Sequence, residues 1–192
     1  MGGARDALPI DEVLEGVVDS VRERHAAVLV APPGAGKTTR VPPAREAAGL
    51  GPVVVLEPRR IAARAAARRV AEENGWTGGG EGGYHVRFDR RASRGTRGLF
   101  CTEGILLARL QDDPFLEGVG CVVFDEFHER SLDADLALAM VRRVQAEARA
   151  DLSILATSAT LQAEPIAHFL SGAPIVRSEG RLFPVEPRFL AR

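Results

Sequence analysis

Apolar residues fall along this chain in short dense runs, separated by stretches in which they recur every three or four positions. The runs at 26–31, 53–56 and 119–124 are almost wholly apolar, as strands buried on both faces are. Further strands are predicted at 84–88, 96–101, 153–157, 175–177 and 185–190. Over 11–24, Val13, Leu14, Val17, Val18 and Val21 keep helical spacing, and Asp11 after Pro9 is the expected N-cap. A helix opens at Thr38 and Thr39. The alanine- and arginine-rich stretch 59–74 reads as another, stopped by Gly75. Helices also fit 104–111, 132–148 and 164–169, while 78–83, with five glycines around Glu81, reads as a flexible loop. This alternation predicts an α/β fold with a mostly parallel central sheet and helices on both faces. The chain contains no internal repeat.

A length of 192 residues suits one domain with a continuous core. With 45% hydrophobic and 27% charged residues and a formal charge of −1, the composition points to neither disorder nor a membrane surface. No stretch has signal-peptide or transmembrane character, so a cytoplasmic location and no membrane partner are expected. Net charge does not indicate a nucleic-acid partner. Locally, though, Arg59, Arg60, Arg64, Arg68 and Arg69 form one cluster and Arg87, Arg90, Arg91, Arg94 and Arg97 another. Either cluster fits phosphate contacts or a solvated face. Cys101 and Cys121 each lie in an apolar run and are expected to be reduced core residues without metal-ligand spacing.

Of the 25 basic side chains 24 are arginine; the single lysine, Lys37, lies in Ala31-Pro-Pro-Gly-Ala-Gly-Lys-Thr-Thr39. A compact ammonium on a flexible stem reaches between β- and γ-phosphate oxygens where a planar guanidinium is too wide. Around it, Gly34, Ala35 and Gly36 form a turn whose N–H groups can face inward, between an apolar strand and a helix start. The segment matches the phosphate-loop pattern G-x-x-x-x-G-K-[ST] except that Ala31 occupies the first glycine place.

In a parallel α/β sheet, ligands bind beyond the carboxyl ends of the strands. Immediately after the run 119–124 come Asp125-Glu126-Phe127-His128, 88 residues beyond Lys37. Such a pair of carboxylates can hold Mg²⁺ and polarise a water, or it can simply start the next helix.

Asp125-Glu126-Phe127-His128 with Glu129-Arg130 resembles the DExH/DEAH branch of superfamily 2 helicases. That family's further motifs are matched in order by Pro58-Arg59-Arg60, by 83–88, by Thr102-Glu103-Gly104 and by Ser158-Ala159-Thr160. The resemblance runs from about Asp11 to the end and implies a RecA-like P-loop NTPase domain that binds ATP and Mg²⁺. It implies that Gly34, Ala35, Gly36, Lys37, Thr38 and Thr39 hold the nucleotide, and that Arg69 stacks on adenine. Thr38, Asp125 and Glu126 would serve the metal site, and Glu126 would be general base. His128, Ser158, Ala159 and Thr160 would couple the nucleotide to domain closure. Single-stranded nucleic acid, RNA ahead of DNA, would meet Arg59, Arg60, Arg87, Thr102, Glu103 and Gly104. Arg87 could instead form an ion pair on a strand, and Glu103 could be a helix N-terminal charge.

Helicases of this kind use two RecA-like domains. Residues 1–192 are expected to be one of them, because no Gln-x-x-Gly-Arg-x-x-Arg-like stretch supplies the arginine fingers. A missing finger costs roughly 10³ to 10⁵ in turnover, so this chain is expected to be a weak ATPase. A nucleotide-dependent binding switch with negligible turnover is the alternative.

Overall fold

A computed structural model describes residues 7–159 and 163–180. Its eight strands are β1 (Ala26–Val30), β2 (Val53–Leu56), β3 (Gly82–Val86), β4 (Asp89–Arg91), β5 (Gly98–Cys101), β6 (Cys121–Phe124), β7 (Ser153–Ser158) and β8 (Ile175–Arg177). They form one sheet in the order β4-β3-β5-β2-β6-β7-β1-β8, parallel throughout except for the antiparallel β3–β4 hairpin. The helices are α1 (Leu14–Arg24), α2 (Lys37–Ala47), α3 (Arg60–Asn74), α4 (Glu103–Asp112), α5 (Leu132–Glu147) and α6 (Glu164–Phe169).

Period-two alternation of the strand side chains divides the interior into two cores. Val28, Val54, Val122, Phe124, Ile154 and Ala156 pack against α4, α5 and α6. Ala27, Leu29, Val53, Val55, Val123 and Leu155 face α1, α2 and α3 on the other side. The expected sheet with helices on both faces is therefore present. Both cysteines are free and buried, and burial pushes the Cys101 thiol up to about 12 and that of Cys121 to about 11.

Three local expectations are corrected. Asp11 does not cap α1; it lies in a 3-10 turn, Pro9–Glu12, and its carboxylate accepts from the Leu8 N–H at 2.8 Å. Pro9 stiffens this short turn, and the chain then re-enters helix at Leu14 without a side-chain cap. The glycine run is only partly loop, since Gly82 and Gly83 belong to β3. A Cβ on Gly83 would lie 2.7 Å from the Arg91 carbonyl, so the run reflects close strand contact more than flexibility. Finally, the strand predicted over 84–88 ends at Val86, because Phe88 turns through φ 67° into the unforeseen β4. The strand expected over 185–190 lies outside the described residues.

β6 enters the sheet through a tight approach: a Cβ on Gly120 would be 2.3 Å from the Leu50 carbonyl oxygen. Backbone cannot yield there as a flexible side chain can. Gly120→Ala is expected to destabilise the fold by about 1–3 kcal/mol. Gly16→Ala, in α1 with nothing within 4 Å, is expected to stabilise by about 0.5–1 kcal/mol. Urea unfolding of the two variants checks both signs.

Candidate nucleotide and nucleic-acid site

The carboxyl ends of β1, β2, β6 and β7 converge on one edge of the sheet. Sheet order sets β7 between β1 and β6, so Thr157 and Ser158 stand between the glycine loop and Asp125-Glu126. Ala31 closes β1 by donating its N–H to the Ser158 carbonyl at 3.0 Å. It is 1% exposed, packs in the α1–α3 core and does not take a positive φ, so its backbone does not require the glycine of the usual pattern. Gly34 and Gly36 take φ of 79° and 98°, and Gly36 precedes the first turn of α2. A Cβ on Gly36 would meet Leu8 Cδ1 at 2.6 Å, so conformation and space both require glycine there.

Lys37 is 4% exposed. Its Nζ donates to the carbonyls of Ala31 at 2.9 Å and Pro32 at 3.3 Å, and pairs with Glu126 Oε1 at 3.3 Å. Asp125, 6% exposed, accepts from the hydroxyls of Thr38 and Thr157 through its two oxygens and from the Glu126 N–H at 3.0 Å. Thr157 also accepts from the Glu126 N–H at 3.2 Å, which makes it a bridge that the sequence reading passed over in favour of its neighbour Ser158. Glu126 adopts a left-handed conformation, φ 48° and ψ 38°, uncommon for a side-chain-bearing residue. That backbone turn aims its carboxylate at Lys37 on one side and His128 on the other. His128 Nδ1 lies 3.3 Å from Glu126 Oε2 and 3.3 Å from the Ala159 N–H. One nitrogen thus faces a carboxylate and a donor, and its protonation state decides which contact is a hydrogen bond.

Glu57 was not foreseen either. It follows β2 as Asp125 follows β6, and a carboxylate at the end of an apolar run was the available signal. It is 4% exposed. Burial first, and then the charge of Asp125 with which it shares a hydrogen bond, push its carboxyl up to about 9. A carboxyl raised that far favours its protonated form at neutral pH.

The expected nucleic-acid residues lie along the same edge. Arg59 is engaged by both oxygens of Glu129, at 2.8 and 2.7 Å. Arg60 Nη2 donates to the Arg87 carbonyl at 2.8 Å, fastening α3 to the tip of the β3–β4 hairpin. At that tip the Arg87 guanidinium lies 4.8 Å from the centre of the Phe88 ring, and Phe88 is 89% exposed. Arg87 is thus stacked on its neighbour, and among the described residues it does not form the strand ion pair left open by the sequence. Thr102, Glu103 and Gly104 start α4, and burial foremost raises the Glu103 carboxyl. Arg69 pairs with Glu73 at 2.8 Å on the exposed side of α3, and Glu73 also meets Arg40 of α2. Thr160 lies outside the described residues.

The family described as DEAD/DEAH box helicase matches residues 12–169. The chain is 45% identical over 186 residues to the ATP-dependent RNA helicase HrpB of Escherichia coli (strain K12), covering 96% of this chain and 23% of that protein. To the ATP-dependent RNA helicase HrpA of the same organism it is 36% identical over 187 residues, covering 96% of this chain and 14% of HrpA. The crystal structure of Escherichia coli DEAH/RHA helicase HrpB superposes with a TM-score of 0.88 at 45% identity, over 94% of this chain and 23% of that one. The present fold is the RecA-like fold of that helicase domain. The chain thus spans under a quarter of the length of these relatives. Among the described residues no helix is long and apolar enough to cross a membrane.

A carboxyl held protonated by the fold binds its proton more tightly folded than unfolded. Its contribution to stability is complete below pH 4.5 and is lost as pH rises towards about 9. Glu57→Gln keeps a hydrogen-bond donor without the proton. In buffer free of nucleotide and divalent cations, the melting temperature of the variant relative to the unsubstituted chain is expected to climb from pH 5 to pH 9. A difference that stays flat across that range contradicts a buried neutral Glu57.

Proposed function

This chain belongs to the DEAD/DEAH box helicase family, and we propose that it is the first of two RecA-like motor domains in a longer ATP-dependent helicase acting on single-stranded RNA. The observation that carries the reading is the ion pair of buried Lys37 with half-buried Glu126, beside the Thr38–Asp125 contact. Residues from a glycine loop and from a distant strand end come together there, in the arrangement that nucleotide hydrolysis needs.

In this reading the N–H groups of Gly34, Ala35, Gly36, Lys37, Thr38 and Thr39 cradle the phosphates of ATP. Lys37 exchanges its bonds to the Ala31 and Pro32 carbonyls and to Glu126 for β- and γ-phosphate oxygens. Glu126, released from Lys37, accepts a proton from the attacking water. Thr38 and Asp125 present only oxygen, which fits Mg²⁺. Among the described residues no group of three or more His, Cys, Asp or Glu could hold a metal unaided, in keeping with a cation held partly by substrate phosphates. When bound, Mg²⁺ would offset the charge of the phosphates. Thr157 and Glu57 keep Asp125 in position, and His128 with Ser158, Ala159 and Thr160 carries the nucleotide state towards the second domain. Arg69 supplies the face for adenine.

Nucleic acid lies across the hairpin tip and the start of α4. Arg60, Arg87 and the first turn of α4 at Thr102, Glu103 and Gly104 meet its phosphates, joined by Arg59 once Glu129 lets go. Phe88 adds a stacking surface that the low aromatic content, 5%, gave little reason to expect. The second domain supplies the arginines that complete the reaction. Turnover by the 192-residue chain alone is accordingly about 10³ to 10⁵ lower than with the second domain.

Lys37→Ala is expected to abolish binding of a fluorescent ATP analogue to the chain. Glu126→Gln should keep binding yet lose turnover in a protein extended through the second domain. Full turnover by Glu126→Gln would sink the assignment of the base; absence of turnover by the extended, unsubstituted protein would favour a nucleotide switch. Phe88→Ala is expected to weaken single-stranded RNA by about 1–3 kcal/mol at unchanged salt dependence. Arg87→Ala should instead lower the log–log salt slope by about 0.7, as fluorescence anisotropy at several salt concentrations would show.

A further inference from the structure

The stretch from α3 through the hairpin carries more than the site described above uses. Between α3 and the hairpin runs a groove of about 510 Å³, walled by Arg64, Ala67, Arg68 and Ala71 on one side and by Tyr84 and Arg91 on the other. Its deep end is formed by Trp76 and the backbone of Gly78, Gly79 and Gly82. Such a volume admits a nucleotide.

Each wall has a chemical reason to be as it is. Trp76, the only tryptophan of the chain, lies over backbone: a Cβ on Gly98 would be 3.1 Å from its ring and one on Gly82 3.4 Å. Glycine at those places lets the indole lie low against the sheet, beside the open groove. On the rim, Arg64 pairs with Asp89 at 2.6 Å and Arg68 with Glu72 at 2.7 Å. Arg91 runs along Gly78 and Gly79, and its side chain makes no hydrogen bond or ion pair among the described residues. Of the three arginines that line the groove only Arg91 keeps its charge without a carboxylate partner among the described residues, and one such guanidinium beside the Trp76 and Tyr84 rings is complementary to an unstacked base and its phosphate.

The groove is also continuous with the hairpin tip. Arg64 follows Arg60 by one helical turn, and Arg60 is bonded to the carbonyl of Arg87 at the tip. A strand stacked on Phe88 therefore has a charged path down the outer edge of the sheet.

We infer that the groove between α3 and the β3–β4 hairpin is a second nucleic-acid subsite, which holds one nucleotide of the strand with its base against Trp76 and Tyr84 and its phosphate on Arg91. The subsite rests on the nucleic-acid reading above and extends it to a groove whose lining includes neither Lys37 nor Asp125. Arg91 binds as a positioning cation, and the aromatic pair accepts any base.

Trp76 reports its own occupancy. The chain is titrated with a 12-nucleotide oligouridylate without ATP, following anisotropy of a labelled strand and, separately, Trp76 emission with an unlabelled one. Emission is expected to be quenched in step with binding. Arg91→Ala, an exposed substitution, should remove most of the quenching and lower the log–log salt slope by about 0.7. Arg143→Ala, on the opposite helical layer, should change neither. An anisotropy rise with unaltered Trp76 emission overturns the subsite and leaves the hairpin-tip site standing. No anisotropy rise overturns both. Quenching and salt slope that both survive Arg91→Ala, or equal quenching by uridine monophosphate at matched base concentration, also overturn it.

Discussion

The carboxylate of Asp125 is the interaction on which the rest of this edge depends. It is nearly out of contact with solvent, and its two oxygens gather hydroxyls from α2 and β7 and an N–H from its own turn, with Glu57, whose carboxyl its charge helps to keep protonated, just past the end of β2. A buried carboxylate without such donors would be strongly unfavourable, so its four neighbours are placed by the need to satisfy it. Because those neighbours come from separate parts of the chain, satisfying one charge also sets the spacing between the glycine loop, the acidic pair and the end of β7.

That constraint explains the unusual backbone beside it. Glu126 turns through the left-handed region while its N–H is held by Asp125 and Thr157. The turn costs energy that a loop free of these bonds would relieve, and here it directs the side chain to Lys37 and His128. Lys37 is in turn held among carbonyls of its own loop. The candidate site is thus pre-formed: its cation, acids and hydroxyls already face one another, and the proposed binding of a polyphosphate would amount to an exchange of partners.

The proposed nucleic-acid side follows a different logic. Arg59 and Arg64 spend their charge on nearby carboxylates, whereas the hairpin edge keeps several arginines unneutralised. Charge density in the sequence made the two clusters look alike. Only the pairing separates arginines that must first give up a carboxylate, as Arg59 would, from those already open to phosphate.

Much of the fold was legible because strands buried on both faces must be apolar throughout, and helices between them must show a 3.6-residue stripe. Lys37 with its glycines and Asp125-Glu126 were legible for a related reason, since phosphate chemistry tolerates few residue types in a short stretch of chain. The glycine run was misread because glycine marks close approach as well as freedom, and only the neighbouring atoms distinguish the two. Glu57 and Thr157 gain their importance from contact with a residue far away in sequence. Phe88 acquired its exposure from a turn into a three-residue strand too short to carry a periodic signal. Local chemistry and periodicity were written in the order of residues. Partnership, burial and the shift in a carboxyl's proton affinity were decided by tertiary packing, because they depend on distances that no linear pattern contains.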